Sequence, residues 1–493
     1  MSISFNEVPS SIRVPFMYAE FDNSRAIQGS GSQPYTALII GQKLSTGADA
    51  ELVPAEVTSA AQAQSKYGEG SQLHHMVKAF KDVNPLMAVT CVAIDDLLAG
   101  VEATGKIDLG AAQAATADGI YAVYHGGRRY QVAVSSGDDQ DAIATAMAAE
   151  INADTLRFSD AAVNGVNAYE VDLTCRHKGV EGSYIDTRIN YYSDDELPAG
   201  VTAPTITAMA SGAGNPDIQE VIDVLDDTQY IGIIHPWTDA ANLAALKTEL
   251  DDRNGPLRQV DGMAITARTD TFANQTTLGE SRNDRFLTVM SAYGPDHQAR
   301  WAAAYGARLL QAAEIDSART SQTLTLPGIL APEKSERRRL EENNLHLYDG
   351  LSTFSIDASD TVQIQRAITT YRLNGSGGAD ESYLDCTTFF NLSFIRYDFR
   401  TSFLQKYPRH KLADDGNNYS SGQPIMTPTV GKAFAVSKFQ QWLEDGKVEN
   451  SDQFINDLIV ERSSSDVNRL DFLMSPDLIN SLIVGAAKFA FLL

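Results

Sequence analysis

Two hydrophobic rhythms alternate along this chain: short unbroken apolar runs closed by glycine, and longer stretches in which apolar residues return every three or four positions. The first run, "YTALIIG" (Tyr35–Gly41), predicts a strand buried on both faces. "SQLHHMVKAFKDV" then sets Leu73, Met76, Val77 and Phe80 on one helical face, and "LMAVTCVAI" predicts a second buried strand. The same rhythm returns later. "PDIQEVIDVLDD" predicts a helix opened by Pro216, "YIGIIHP" a strand, and "TDAANLAALKTEL" a helix capped by Thr238. "DRFLTVMSAYG" follows as a strand and "DHQARWAAAYGARLLQAA" as a long alanine-rich helix. Alternation of this kind implies a parallel sheet with helices packed on it, an α/β layer fold.

Between these halves, residues 101–214 have a different character, rich in Gly, Thr, Asp and Ala. "GIYAVYHGGRRYQVAVSSG" reads as two alternating strands turned at Gly126 and Gly127, followed by the helix "DQDAIATAMAAEINA" and the strands "AYEVDLTCRH" and "YIDTRINYYS". The segment is expected to be an inserted, surface-facing α+β domain. A third part begins near Gly328. "APEKSERRRLEENNLHLYDG" predicts a helix between Pro332 and Gly350, its arginines balanced by acids on a solvated face. "GLSTFSI" predicts a strand, "TVQIQRAITTY" a strand or helix, and "SYLDCTTFFNLSFIRYDFRTSFLQKYP" a long helix with a heavy apolar face. The expected division is an N-terminal arm (1–30), a first core part (31–100), the insert (101–214), a second core part (215–328), a C-terminal domain (329–475) and a C-terminal arm (476–493).

A length of 493 residues suits several domains, and 43% hydrophobic residues suffice for a sizeable core. The formal charge of −25 repels phosphate backbones and anionic lipid, which argues against gripping nucleic acid. Cys91, Cys175 and Cys386 lie far apart without a CxxC, the pattern of buried thiols in a reducing compartment. The start "MSISFNEVPS" lacks the basic and apolar regions of a signal peptide, and the apolar end "LIVGAAKFAFLL" falls short of the ~20 residues that cross a bilayer. The expectation is a protein made in a cytosol, without membrane insertion.

Candidate chemistry is sparse. "GVEATGK" (Gly100–Lys106) has the spacing of a phosphate-binding loop, but Ile107 stands where Ser or Thr should hold magnesium, and a loop at a domain boundary is the better account. The first strand and loop, "LIIGQKLSTG", carry no G-x-G-x-x-G, and the chain has neither G-x-S-x-G nor H-E-x-x-H. His74 and His75 are neighbours on a helix and cannot face one ligand, while His235 reads as a loop histidine before Pro236. No catalytic, cofactor or metal set emerges. A structural or interaction protein is favoured over the alternatives, an α/β enzyme holding a small ligand or nucleotide in the sheet's crevice, or a static shell subunit.

The two ends share a feature. Ile3, Phe5 and, less regularly, Val8 break up polar residues as in a half-buried strand, with Ile12 and Val14 further along the same arm, while Pro9 and Pro15 exclude a helix. At the other end Phe489 and Phe491 fall on one face of a strand, with Leu482 and Val484 before them as arm positions. Either both ends fold back onto their own domain, or each completes a sheet on another copy.

The stretches "NEVPSSIRVPFMYAEFDNS", "MSAYGPDHQARWAAAYGAR", "LTLPGILAP", "YLDCTTFFNLSFIRYDFRTSFLQKYPRHKLADDG" and "VERSSSDVNRLDFLMSPDLINSLIVGAAKFAFLL" resemble the contractile tail sheath proteins of Mu-like phages, over nearly the whole chain and least in 101–214. The resemblance implies a core sheet of subtilisin-like topology without protease activity, and arms that add strands to neighbouring subunits. It implies hexameric rings of this protein stacked around a tail tube, in contact with baseplate and tail terminator proteins. It further implies a virion tail assembled in the host cytoplasm, with contraction driven by a metastable packing and needing no cofactor. A tube-facing surface is then expected, with Lys432 and Lys438 as candidates on a helix that turns Phe434, Phe439, Trp442 and Leu443 inward.

Overall fold

The computed structural model describes residues 33–492 apart from 112, 418 and 421. A six-stranded sheet forms in the order Leu287–Ala292, Met263–Thr269, Gly232–Ile234, Ala37–Gln42, Val89–Ile94, Ala55–Val57. The first five strands are parallel, and the short Ala55–Val57 runs antiparallel at the edge. All six residues of Ala37–Gln42 and of Leu287–Ala292 are buried, which is why these strands read as largely apolar runs rather than as alternation, and the buried hydroxyls of Thr288 and Ser291 are hydrogen-bonded. Helix Gln72–Val83, capped by Ser71, and helix Gln298–Ile315, capped by His297, both contribute to the apolar core against this sheet. Within it Trp301 is fully buried against Phe354, ring centroids 4.7 Å apart. Leu73, Met76, Val77 and Phe80 are all buried, as their spacing requires.

Two local expectations change. The helix Ala240–Arg253 is capped by Asp239, whose carboxylate accepts from Asn242 N–H; Thr238 is buried and its hydroxyl accepts from Arg268 at 2.7 Å instead. The stretch after Pro332 is a short 3-10 turn, Lys334–Glu336, and then a helix, Leu340–Tyr348. The break falls around Arg338, which is not solvated. Its guanidinium donates to Ser291 Oγ and Gln275 Oε1, both at 2.6 Å, and lies 4.2 Å from the centroid of Tyr293. "TVQIQR" is a strand, Val362–Arg366, paired antiparallel with Thr353–Ile356.

Residues between Gly100 and Gly214 build two further sheets. One is four-stranded, ordered Thr205–Ala210, Glu102–Asp108, Glu170–Lys178, Ser159–Val163; the other is three-stranded, ordered Arg128–Val134, Gly119–His125, Thr187–Ile189. With helix Gln140–Ala153 they enclose an apolar cluster of their own. Gly126 and Gly127 form the two-residue hairpin turn with φ of +60° and +81°, the left-handed pair that such a turn needs. The chain enters and leaves this segment at one point, where Val101 N–H donates to Ala213 O at 2.8 Å and Ala213 N–H to Val101 O at 3.1 Å.

The described chain divides into two compact units. The larger contains Pro34–Ser393, Trp442–Asn450 and the residues from Pro476 on; the smaller contains Phe394–Gln441 and Ser451–Ser475. In the smaller unit Phe399 and Phe403 pack on Phe434 and Phe472 with centroids 5.3 to 5.7 Å apart, and Phe439 stacks on Phe454 at 4.1 Å. This aromatic core supports an antiparallel hairpin, Ile459–Arg462 with Leu470–Leu473.

Candidate functional site

An enzyme on this sheet would hold its ligand beyond the carboxyl ends of the strands, where the strand order reverses. That point lies between Ala37–Gln42 and Gly232–Ile234, and the inserted segment fills it. Gln42 Nε2 donates to Asp96 Oδ1 and to Lys178 O, both at 2.7 Å. Gln72 N–H donates to His177 Nε2 at 3.0 Å, so the imidazole proton sits on Nδ1 and goes to Asp96, also at 3.0 Å. Against the upward push of burial, His177, Lys178 N–H and Gln42 together hold the Asp96 carboxyl below its ordinary range. Gln298 Nε2 donates to Pro236 O at 2.7 Å and to the carboxyl of Glu181, which burial pushes up to about 8. His235 is not a loop residue on the surface. It is fully buried, and burial pushes it down to about 4. Gln42, Gln72 and Gln298 thus tie the insert to the sheet at the crevice, while both ring nitrogens of buried His235 make no hydrogen bond there among the described residues.

The phosphate-loop spacing of "GVEATGK" also resolves, against the expected loop. Its last five residues lie in the strand Glu102–Asp108, whose backbone groups are committed to pairing on both sides, and Lys106 Nζ pairs with Glu170 Oε2 at 2.7 Å. His74 and His75 take different partners although their rings lie 6.3 Å apart: His74 Nδ1 accepts from Gly70 N–H at 3.2 Å, while His75 stacks on Phe158.

The surface is more informative at the C-terminus. Asp477–Leu478 pairs with Val448–Glu449, and Ile479 N–H donates to Lys447 O at 3.2 Å. Beyond that the segment meets no partner strand among the described residues. Leu482 is 82% exposed, Val484 79%, Phe489 91% and Phe491 82%. Half-buried Ser481 and Ile483 alternate with exposed Leu482 and Val484, the period of an extended chain, and Ile483 lines a groove with Arg366, Asp385 and Asn391. The tail lies along its own body as far as Ile483, and residues 484–492 are all exposed. The matching N-terminal positions, Ile3, Phe5, Val8, Ile12 and Val14, lie outside the described residues.

The two lysines separate. Lys432 is exposed, whereas Lys438 is buried with its ammonium 2.6 Å from Asp398 Oδ2 and 2.7 Å from Gln441 Oε1. A charge neutralised inside its own unit is not offered to an outside surface, so Lys438 is corrected from tube-facing to structural. Sequence reasoning missed the hairpin Ile459–Arg462 with Leu470–Leu473. Each strand pairs only with the other among the described residues, and Ile459 and Leu473 are 51% and 58% exposed. The signal was present in "IVERSSSDVNRLDFL", two short apolar runs around a Ser- and Asp-rich turn.

Fold and surface thus define an α/β protein with an exposed apolar C-terminal segment and a hairpin whose strands pair only with each other among the described residues. Comparison with known proteins then supplies a family. The central domain of phage tail sheath proteins matches residues 211–370 and their C-terminal domain residues 378–490. The Mu-like prophage FluMu tail sheath protein of Haemophilus influenzae is 39% identical over 494 residues, covering 100% of both chains. Among solved structures, the sheath tail protein of Desulfitobacterium hafniense is 10% identical with a TM-score of 0.46, covering 95% of this chain and 100% of that one. The PVC sheath complex of an extracellular contractile injection system in its contracted state is 9% identical with a TM-score of 0.49, covering 98% of each chain. The chain belongs to the phage tail sheath protein family.

Proposed function

We propose that this protein is the structural, non-enzymatic subunit of a contractile sheath that polymerises around a tail tube and shortens to drive the tube through the host envelope during DNA delivery. Copies form stacked hexameric rings bounded by baseplate and terminator proteins, in a virion tail assembled in the host cytoplasm. The core sheet is read as the subtilisin-like topology of the family, and the division into arms, core and insert is kept, with residues 329–393 joining the core rather than the C-terminal domain. Lys432 is the remaining candidate to face the tube.

One observation carries the reading: an alternating apolar tail stands exposed on a chain that also owns a hairpin with both edges open. A two-stranded ribbon alone is marginal in water, and an exposed strand edge is a template for another chain. Donation of Leu482–Phe491 to the Ile459–Leu473 hairpin of a neighbour answers both deficits with main-chain hydrogen bonds. The N-terminal positions Ile3, Phe5, Val8, Ile12 and Val14 are proposed to join the same sheet from another neighbour. Strands held across subunits keep the polymer linked while the bodies slide. The test is electron microscopy of the full-length protein beside a version ending at Asn480. Hollow tubes from the first and monomers from the second are expected; monodisperse globules from both would sink the proposal.

A further inference from the structure

The insert meets the core at a clamp built from histidines. Phe158, on the insert, lies between His75 of the helix Gln72–Val83 and His297 at the start of the helix Gln298–Ile315. It stacks on His75 with centroids 4.0 Å apart and planes 10° from parallel, and sits 5.3 Å from His297. His297 is held neutral by geometry. Its Nδ1 accepts from Ala299 N–H at 3.3 Å, capping the helix, so Nε2 carries the proton and donates to Glu181 O of the insert at 3.0 Å. A second proton on Nδ1 would remove the cap and set an N–H against the helix's own N–H groups.

The charged groups around the clamp do not welcome an imidazolium. Arg300 and Arg128 face it, Arg300 paired with Asp296 and donating to Gly127 O of the insert hairpin at 3.3 Å, Arg128 paired with Asp154. His74 and His177 are the neighbouring imidazoles, and His177 is the one with a carboxylate, Asp96, beside it. Arg176 donates to Glu69 O at 3.2 Å at the same seam. Deeper in the insert, His125 lies between Thr187 Oγ1 at 2.9 Å and Ser159 Oγ at 2.8 Å.

We propose that the Phe158 clamp is an acid-sensitive seam: protonation of His75 and His297 releases residues 101–213 from the core as a unit, while the six-stranded sheet stays folded. The Val101 and Ala213 pair is the tether that remains. Burial pushes His297 and His125 down to about 4 and His75 well below the ordinary value. Groups with a depressed imidazole pKa contribute stability that is complete above the unfolded value near 6.5 and is lost as pH falls toward 4. The buried acids titrate the other way. Burial pushes Glu181 up to about 8 and Asp296 up to about 6, so acid relieves them. Asp96, held against burial below the ordinary carboxylate range by His177 and Lys178 N–H of the insert, loses its contribution only at still lower pH, and the histidine variants separate the two effects.

The experiment is pulsed hydrogen exchange on the full-length protein after equilibration across pH 7 to 4, beside His75→Phe/His297→Asn. Phenylalanine keeps the stack and asparagine keeps the helix cap, while neither titrates. In the wild type, amides of 119–134 and 170–178 are expected to lose protection while 37–42 and 263–269 keep it. The variant should move that midpoint down by about one pH unit. Core and insert losing protection together, or an unmoved midpoint, would overturn the proposal. Should the double variant fold poorly at pH 7, His297→Asn alone decides by the same midpoint.

Discussion

Phe489 and Phe491 offer the sharpest quantitative test of strand donation. Both side chains are already almost wholly in water, 91% and 82% exposed, so the isolated subunit gains almost nothing from them. Replacing both by serine should leave the monomer's stability within about 0.5 kcal/mol, as for other surface substitutions. On the proposed donation, the two rings would lie on one face of the donated strand and be buried by the receiving subunit. Burial of one such side chain is worth about 1.5–3 kcal/mol. Loss of the pair therefore removes about 3–6 kcal/mol per arm, about 150- to 25,000-fold in the association constant. The assay is the critical concentration for tube formation by sedimentation, paired with a thermal melt of the monomer. Lys488→Ala, on the opposite face of the strand, serves as the control. A critical concentration that stays within threefold of the wild type would refute burial in a neighbour. A monomer melt that falls by several degrees would instead show that the tail packs on its own body in solution.

Gly127→Ala should destabilise the hairpin that the insert presents to the core. The residue has φ of +81°, and a Cβ there would sit 1.9 Å from Asp296 Oδ1 and 2.6 Å from Arg300 Nη1. Left-handed strain and overpacking together predict a loss of about 2–5 kcal/mol by denaturant unfolding, and an unchanged midpoint would refute that packing. The two lysines should behave differently on charge reversal. Lys432→Glu is expected to weaken sheath-to-tube attachment in a co-sedimentation assay with a stability change within about 0.5 kcal/mol. Lys438→Glu, which sets two carboxylates against each other in a buried site, should instead cost at least the ~3–5 kcal/mol of a broken buried pair. Intact attachment in Lys432→Glu would remove the residue from the tube surface.

The parallel core was legible in the sequence because both faces of its strands are covered, and doubly covered strands are apolar at most positions of either parity. Ala37–Gln42, Val89–Ile94 and Leu287–Ala292 announce themselves for that reason, and the Gly126 and Gly127 turn does so because few other residues tolerate its backbone. The family resemblance, too, lay in linear stretches of sequence. Facts that depend on what lies across space were not legible. "GVEATGK" has a loop's spacing but becomes a strand because Glu170–Lys178 and Thr205–Ala210 pair with it from far along the chain. Lys438 looked like a surface charge until the fold brought Asp398 to it, and Arg338 looked solvated until Ser291, Gln275 and Tyr293 closed around it. Local pattern alone determined most strands and helices of the core sheet, since periodicity and backbone restriction act within a few residues. Which polar groups are buried, what fills the sheet's crevice, and that the apolar tail stays uncovered were decided only by tertiary structure, because desolvation and pairing depend on residues tens to hundreds of positions apart.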